Sequence, residues 1–212
     1  MQMHFTAARA IRTFVIAGQL DGVPESAEWL IEHETPPGLP AGWRPYIADM
    51  RQYAEEAADA GHLVFAAAAL AEMARTCGEC HAANGVRIDF EANVESPPAG
   101  SNMNAKMRRH LWATERLWEG LIGPSDLAWN RGVTLLAGTH LEVADFNVMP
   151  EQAPTLRYLL KRKREIGRAG VEAKTGRERS ALYGEFLGMC GDCHQLVGRG
   201  PQPPRTVVPA GE

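Results

Sequence analysis

The chain carries two copies of one short pattern, Cys77-Gly78-Glu79-Cys80-His81 and Cys190-Gly191-Asp192-Cys193-His194. On a helix, two cysteines three positions apart lie on one side, about one turn from each other. A flat macrocycle laid against that side is within reach of both thiols, and the next imidazole turns toward its centre. The pattern reads as an attachment site for haem c: thioether bonds from Cys77, Cys80, Cys190 and Cys193, and near-side iron ligation by His81 and His194. Two competing readings explain less. A zinc cage gives no reason for a histidine after the second cysteine in both copies, in a chain with only 7 histidines, and the pairs stand 113 residues apart. A thiol redox couple does not require that histidine either.

With 212 residues, 45% hydrophobic and 23% charged, the chain is long enough for one large or two small globular domains. All 4 cysteines lie inside the two motifs, so no pair is left for a structural disulfide. No apolar run approaches the roughly 20 residues of a membrane span. Covalent haem is attached outside the bacterial cytoplasmic membrane, which implies a periplasmic or otherwise extracytoplasmic location. Met1 to Leu20, with two arginines and the apolar piece Phe14-Val15-Ile16-Ala17, faintly resembles a secretory signal. Its apolar core is too short, and the stretch has a counterpart in mid-chain. We therefore expect a mature chain whose targeting segment is missing. Charge is unevenly divided: residues 1–101 carry 6 Lys/Arg against 14 Asp/Glu, residues 102–212 carry 16 against 12. Such a dipole can steer a redox partner, or simply mark two solvated surfaces.

The two halves align. A shift of 106 residues sets His4-Phe5 on His110-Leu111, Ile11 on Leu117, Val15-Ile16 on Leu121-Ile122, Ala27 on Val133, and Trp29-Leu30 on Leu135-Leu136. The haem motifs are displaced by 113, which leaves about seven extra residues in the second unit around Thr139 to Pro154. Helical periodicity and the Gly/Pro breaks predict four helices per unit. In the first they cover 2–18, 25–34 (ended by Pro36-Pro37-Gly38), 43–59 and 62–81. In the second they begin near 104, 126, 154 and 176, with Ser125 or Asp126 capping the second helix. The predicted organisation is a haem-binding four-helix unit over 1–83, a linker over 84–102, a second unit over 103–197 and a tail over 198–212. Alanine at 66–69 has two candidate causes, helix propensity or the close approach of a neighbour or of the flat haem. The run Lys161-Arg162-Lys163-Arg164 is expected on the solvated face of the third helix of its unit, with no nucleic acid as partner.

An all-α tandem pair of four-helix bundles, each with CxxCH near the C-terminal end of its fourth helix, resembles the cytochrome c prime family of class II c-type cytochromes. The resemblance covers nearly all of the chain apart from linker and tail. It implies that the far side of each haem is covered by the N-terminal part of the first helix, where relatives carry an apolar residue or a methionine. This sequence has His4 and His110 there, in the same register, each followed by aliphatics at +7 and +11. They are the candidate far-side ligands. His33 and His140, out of register by one, are rivals; Met3 and Met107 are nearby alternatives; His62 is expected to be a surface or structural residue.

Two bis-histidine irons would be low-spin with no vacant site, which suits an electron carrier that is not an enzyme and works between redox partner proteins. A homodimer or a place in a larger redox complex is compatible with this. Five-coordinate irons would point instead to a binder or sensor of NO or CO. A dihaem peroxidase or reductase needs an open pocket with acid and base groups, and none stands out. Trp112 and Trp118 read as core, or as packing for a haem or a partner.

Overall fold

The computed structural model describes residues 2–34, 38–88, 90 and 95–203. Among these the chain is all-helical, with eight α-helices: α1 (Gln2–Ala17), α2 (Val23–Glu32), α3 (Arg44–Ala58), α4 (Leu63–Ala83), α5 (Met103–Ile122), α6 (Asp126–Gly138), α7 (Ala153–Glu172) and α8 (Gly176–Val197). The boundaries agree with the periodicity to within about three residues, and local chemistry explains them. Ser125 Oγ accepts the Ala128 N–H at the start of α6. Thr175 and Glu178 form a reciprocal capping box on α8. Gly198, at φ +65°, ends α8 in the left-handed conformation. The Pro36-Pro37 break and the tail beyond residue 203 lie outside the described residues.

Within each half, helices consecutive in the chain pack together, but the most extensive helix pairing joins α4 to α8 across the halves. Small residues allow it. A Cβ placed on Gly184 would lie 3.0 Å from Ala68 Cα and 3.3 Å from Ala67 O, and one on Gly188 3.3 Å from Val64 Cα. The alanine run at 66–69 therefore answers to a close neighbour, and that neighbour is α8. The contacts of Val64 with Gly188, Ala68 with Gly184 and Arg75 with Gly176 make the pair antiparallel. The two CxxCH motifs consequently sit at opposite ends of the α4/α8 pair, roughly 30 Å apart at 1.5 Å of rise per residue.

The halves are interlocked as well as paired, because α1 also packs on α8 and α5 on α4. One apolar cluster takes in buried residues from both: Ile11, Val15, Leu30, Leu70 and Met73 with Leu117, Leu121, Leu136, Phe186 and Leu187. Positions paired by the 106-residue shift are buried alike, Ile11 with Leu117, Val15 with Leu121, Ile16 with Ile122, Ala27 with Val133 and Leu30 with Leu136.

Near the centre, Arg12 donates to the Glu115 carboxylate and its guanidinium lies 5.3 Å from the Trp118 ring centroid. Trp118 in turn lies 6.2 Å from Tyr183. Arg12 is only 3% exposed, so its charge depends on Glu115 for compensation. Glu115→Gln is expected to cost about 3 kcal/mol in urea unfolding, because a buried cation loses its counter-charge. A variant that unfolds like the parent would show that Arg12 is solvated by other means.

One reading of the sequence is corrected here. Lys161 is exposed and pairs with Glu165, and Arg162 pairs with Glu165 and Glu185. Lys163, in the same basic run, is 3% exposed and points inward. It stands three and seven residues beyond Leu160 and Leu156, which is the helical spacing of the buried face. A charge run suggests a solvated face only until its period is compared with that of the apolar stripe beside it.

Candidate functional site

The first motif occupies the last turns of α4, the second those of α8. His81 is 8% exposed, and its Nδ1 lies 2.7 Å from the Ile122 carbonyl oxygen. His194 Nδ1 lies 2.5 Å from the Ile16 carbonyl oxygen, and the neighbouring Gln195 Nε2 donates to the Gly18 carbonyl at 2.7 Å. A carbonyl only accepts, so Nδ1 carries the proton in both rings and the Nε2 lone pair is left unshared. Ile16 and Ile122 belong to the last turns of α1 and α5, where carbonyls have no intrahelical donor. They are also 106 residues apart, the register of the repeat. Each motif histidine is thus oriented by the helix end of the opposite half.

Glycine in the motif makes this approach possible. A Cβ on Gly191 would sit 2.6 Å from Val15 O and 3.0 Å from a Leu63 methyl, and one on Gly78 would run into Leu121 O. Val15 and Leu121 are again 106 apart. These two glycines and the Ile16 and Ile122 carbonyls are parts of the surroundings of the two motifs that reading the sequence missed. The signal available was glycine at the same place in both motifs.

The four thiols are half-buried and unpaired. Burial, with Cys80 nearby, pushes Cys77 up to about 12; burial, with Asp192 nearby, pushes Cys193 up to about 11; Cys80 and Cys190 are raised by burial too. No cation lowers them, so none resembles the thiolate of a redox-active CxxC. Among the described residues no three His, Cys, Asp or Glu side chains converge as a group able to hold a metal ion by themselves.

His110 lies on α5 with its ring 5.3 Å from Phe186, and its Nε2 is buried with no hydrogen-bond partner. Burial, then the nearby Lys163 ammonium and His194, lower its pKa to about 3. It therefore remains a neutral imidazole across the physiological range, and the interaction with His194 places it on the side of the second motif. Cys193 and Leu196 there join Met103, Met107, Leu141, Phe146, Leu156 and Leu160 in a separate apolar cluster. Lys163 Nζ donates to the Thr139 carbonyl, and burial lowers its pKa to about 8.

His4 has different surroundings. Its ring meets Trp29 edge-on at 5.3 Å and His33 edge-on at 5.1 Å, while His33 stacks on Trp29 at 4.3 Å. Burial first, then the N-terminal amine, His33 and Arg51, lower its pKa to about 4. His33 thus stands next to His4, whereas His140 is exposed. Met3 is half-buried, and Met107 packs in the apolar cluster with Cys193. His62 is exposed, against Phe65. Trp118 is core; Trp112 lines an open cleft of about 700 Å³ with Arg109, Asn130 and Thr134.

No helix of the described residues is long and apolar enough to cross a membrane. Comparison with protein-family models, curated proteins and solved structures finds no match for this chain.

Proposed function

We propose that this chain is a dihaem c-type cytochrome, a tandem pair of haem-binding four-helix units that transfers electrons between redox partner proteins outside the cytoplasmic membrane. Haem c, bound through Cys77 and Cys80 and through Cys190 and Cys193, would supply a one-electron couple at its iron. The observation that carries the reading is the matched pair of hydrogen bonds from His81 Nδ1 and His194 Nδ1 to the Ile122 and Ile16 carbonyls. Such a bond fixes the tautomer and aims Nε2 at a metal, the usual arrangement around a ligating imidazole. Haem would bring four nitrogens of its own and ask only imidazoles of the protein, so the lack of a three-residue cage among the described residues is no obstacle. Thiols held neutral by burial suit permanent thioether bonds better than redox cycling. The orphaned Nε2 of His110 supplies a far-side donor for the second haem, and His4 the corresponding one for the first.

The expected holoprotein contains two covalent haems by pyridine haemochrome assay, low-spin in both oxidation states. Retention of haem through acid-acetone extraction, with carbon monoxide excluded from both sites, is the result expected. Loss of all haem on extraction would reject the reading outright.

A second reading has support at the first site only. The ring packing of His4 against Trp29 and His33, if it persists beside the haem, would leave the first iron five-coordinate and able to bind NO or CO. Carbon monoxide binding to about half of the reduced haem would favour it.

A further inference from the structure

We propose that Lys163 raises the reduction potential of the second haem, by holding a buried positive charge on the His110 side of that site. The inference rests on the dihaem reading above and extends it to what sets the potential of one haem. It begins from the register of α3 and α7. At the 113-residue displacement of the haem motifs, Met50, Ala54 and Ala57 correspond to Lys163, Gly167 and Gly170, and all six are buried. The two helices therefore present equivalent positions to the interior, one with a thioether and the other with an ammonium.

The charge at position 163 is not cancelled locally. Its hydrogen-bond partner is the neutral Thr139 carbonyl. The acidic groups nearby on α7 and α8, Glu165 and Glu185, are engaged by Lys161 and Arg162 on the outer side. Arg164, which lies close enough to act on Lys163, is matched in the first half by Arg51, whose charge acts on His4. Arg51 thus gives the first site a cation of its own, so Lys163 bears on the potential of the second haem and does not by itself rank the two. Nor is Lys163 remote from the second motif. Leu160, one turn before it on the same face, packs in the cluster that holds Cys193 and Leu196.

Reduction adds one electron to an iron site, and a fixed cation in a low-dielectric interior favours that added negative charge. Lys163 is cationic at pH 7, since burial lowers its pKa only to about 8. Lys163 is a positioning charge in this scheme and does not touch the iron.

The test is a potentiometric titration of the holoprotein at pH 7, followed by visible absorbance. Two midpoints are expected. Lys163→Met should lower one and leave the other in place, shifting the electron equilibrium between the haems by at least about tenfold, or about 59 mV for a one-electron couple. Met50→Lys should raise the other midpoint. The proposal is overturned if Lys163→Met titrates like the parent, or if it turns one haem high-spin, which would make Lys163 a ligand. If Lys163→Met does not fold, Met50→Lys decides alone: a rise in one midpoint supports the proposal and unchanged midpoints overturn it. A purified protein without covalent haem would reject the dihaem reading itself, an outcome separate from two haems that ignore residue 163.

Discussion

Replacing His110 with alanine is expected to convert one of the two haems from low to high spin, and to let carbon monoxide bind about half of the reduced haem. The expectation follows from the buried Nε2 of His110, which has no hydrogen-bond partner, on the side of the second motif. An unpaired buried nitrogen costs about 1–3 kcal/mol unless something takes its lone pair, and an iron would do so. Because the imidazole stays neutral to about pH 3, no proton competes for that lone pair at neutral pH. His110→Met should keep the haem low-spin while raising its potential, since thioether ligation favours the reduced iron. His140→Ala should change neither spectrum, its side chain being exposed. A His110→Ala protein that remains fully low-spin and inert to carbon monoxide would remove His110 from the iron.

Gly78→Ala and Gly191→Ala should each destabilise the protein by about 3 kcal/mol or more in urea unfolding. A Cβ at either position meets a backbone carbonyl, Leu121 O or Val15 O, and a helix end cannot give way as a flexible side chain would. The same methyl would push the adjoining helix off and lengthen the His81 or His194 bond to its carbonyl, so covalent haem incorporation at that motif should fall too. Gly138→Ala provides the control: nothing lies within 4 Å of its would-be Cβ, and stability should change by no more than about 0.5 kcal/mol. If Gly78→Ala were as stable as the control, the close crossing of α4 and α5 would be wrong. This prediction holds whether or not haem is bound.

Much of the architecture could be read from the chain because it is written in local patterns. Gly22 and Pro24, Gly61 and Gly123-Pro124 interrupt the helical periodicity between helices, and Ser125 caps the start of α6. Apolar positions recurring 106 residues apart marked the same buried face twice, and burial follows them pair by pair. The motif residues were equally legible, since cysteine and histidine at fixed spacing have few uses. Lys163 was not, because charge outweighed period in reading its run of four cations. Register favoured His4 over His33 in the sequence, but gave no sign that the two are neighbours in one aromatic group.

The sequence by itself determined the helices, the duplication and the two five-residue motifs, all of which depend on interactions within a few turns of chain. Only the tertiary structure decided which half orients which histidine. That choice rests on α4 packing antiparallel to α8 through glycine and alanine, which brings the end of α5 to His81 and the end of α1 to His194. Contacts between residues 41 and 178 positions apart leave no periodic trace in the chain. They arise when complementary surfaces meet, and a glycine that leaves room for them looks, in one dimension, like any other.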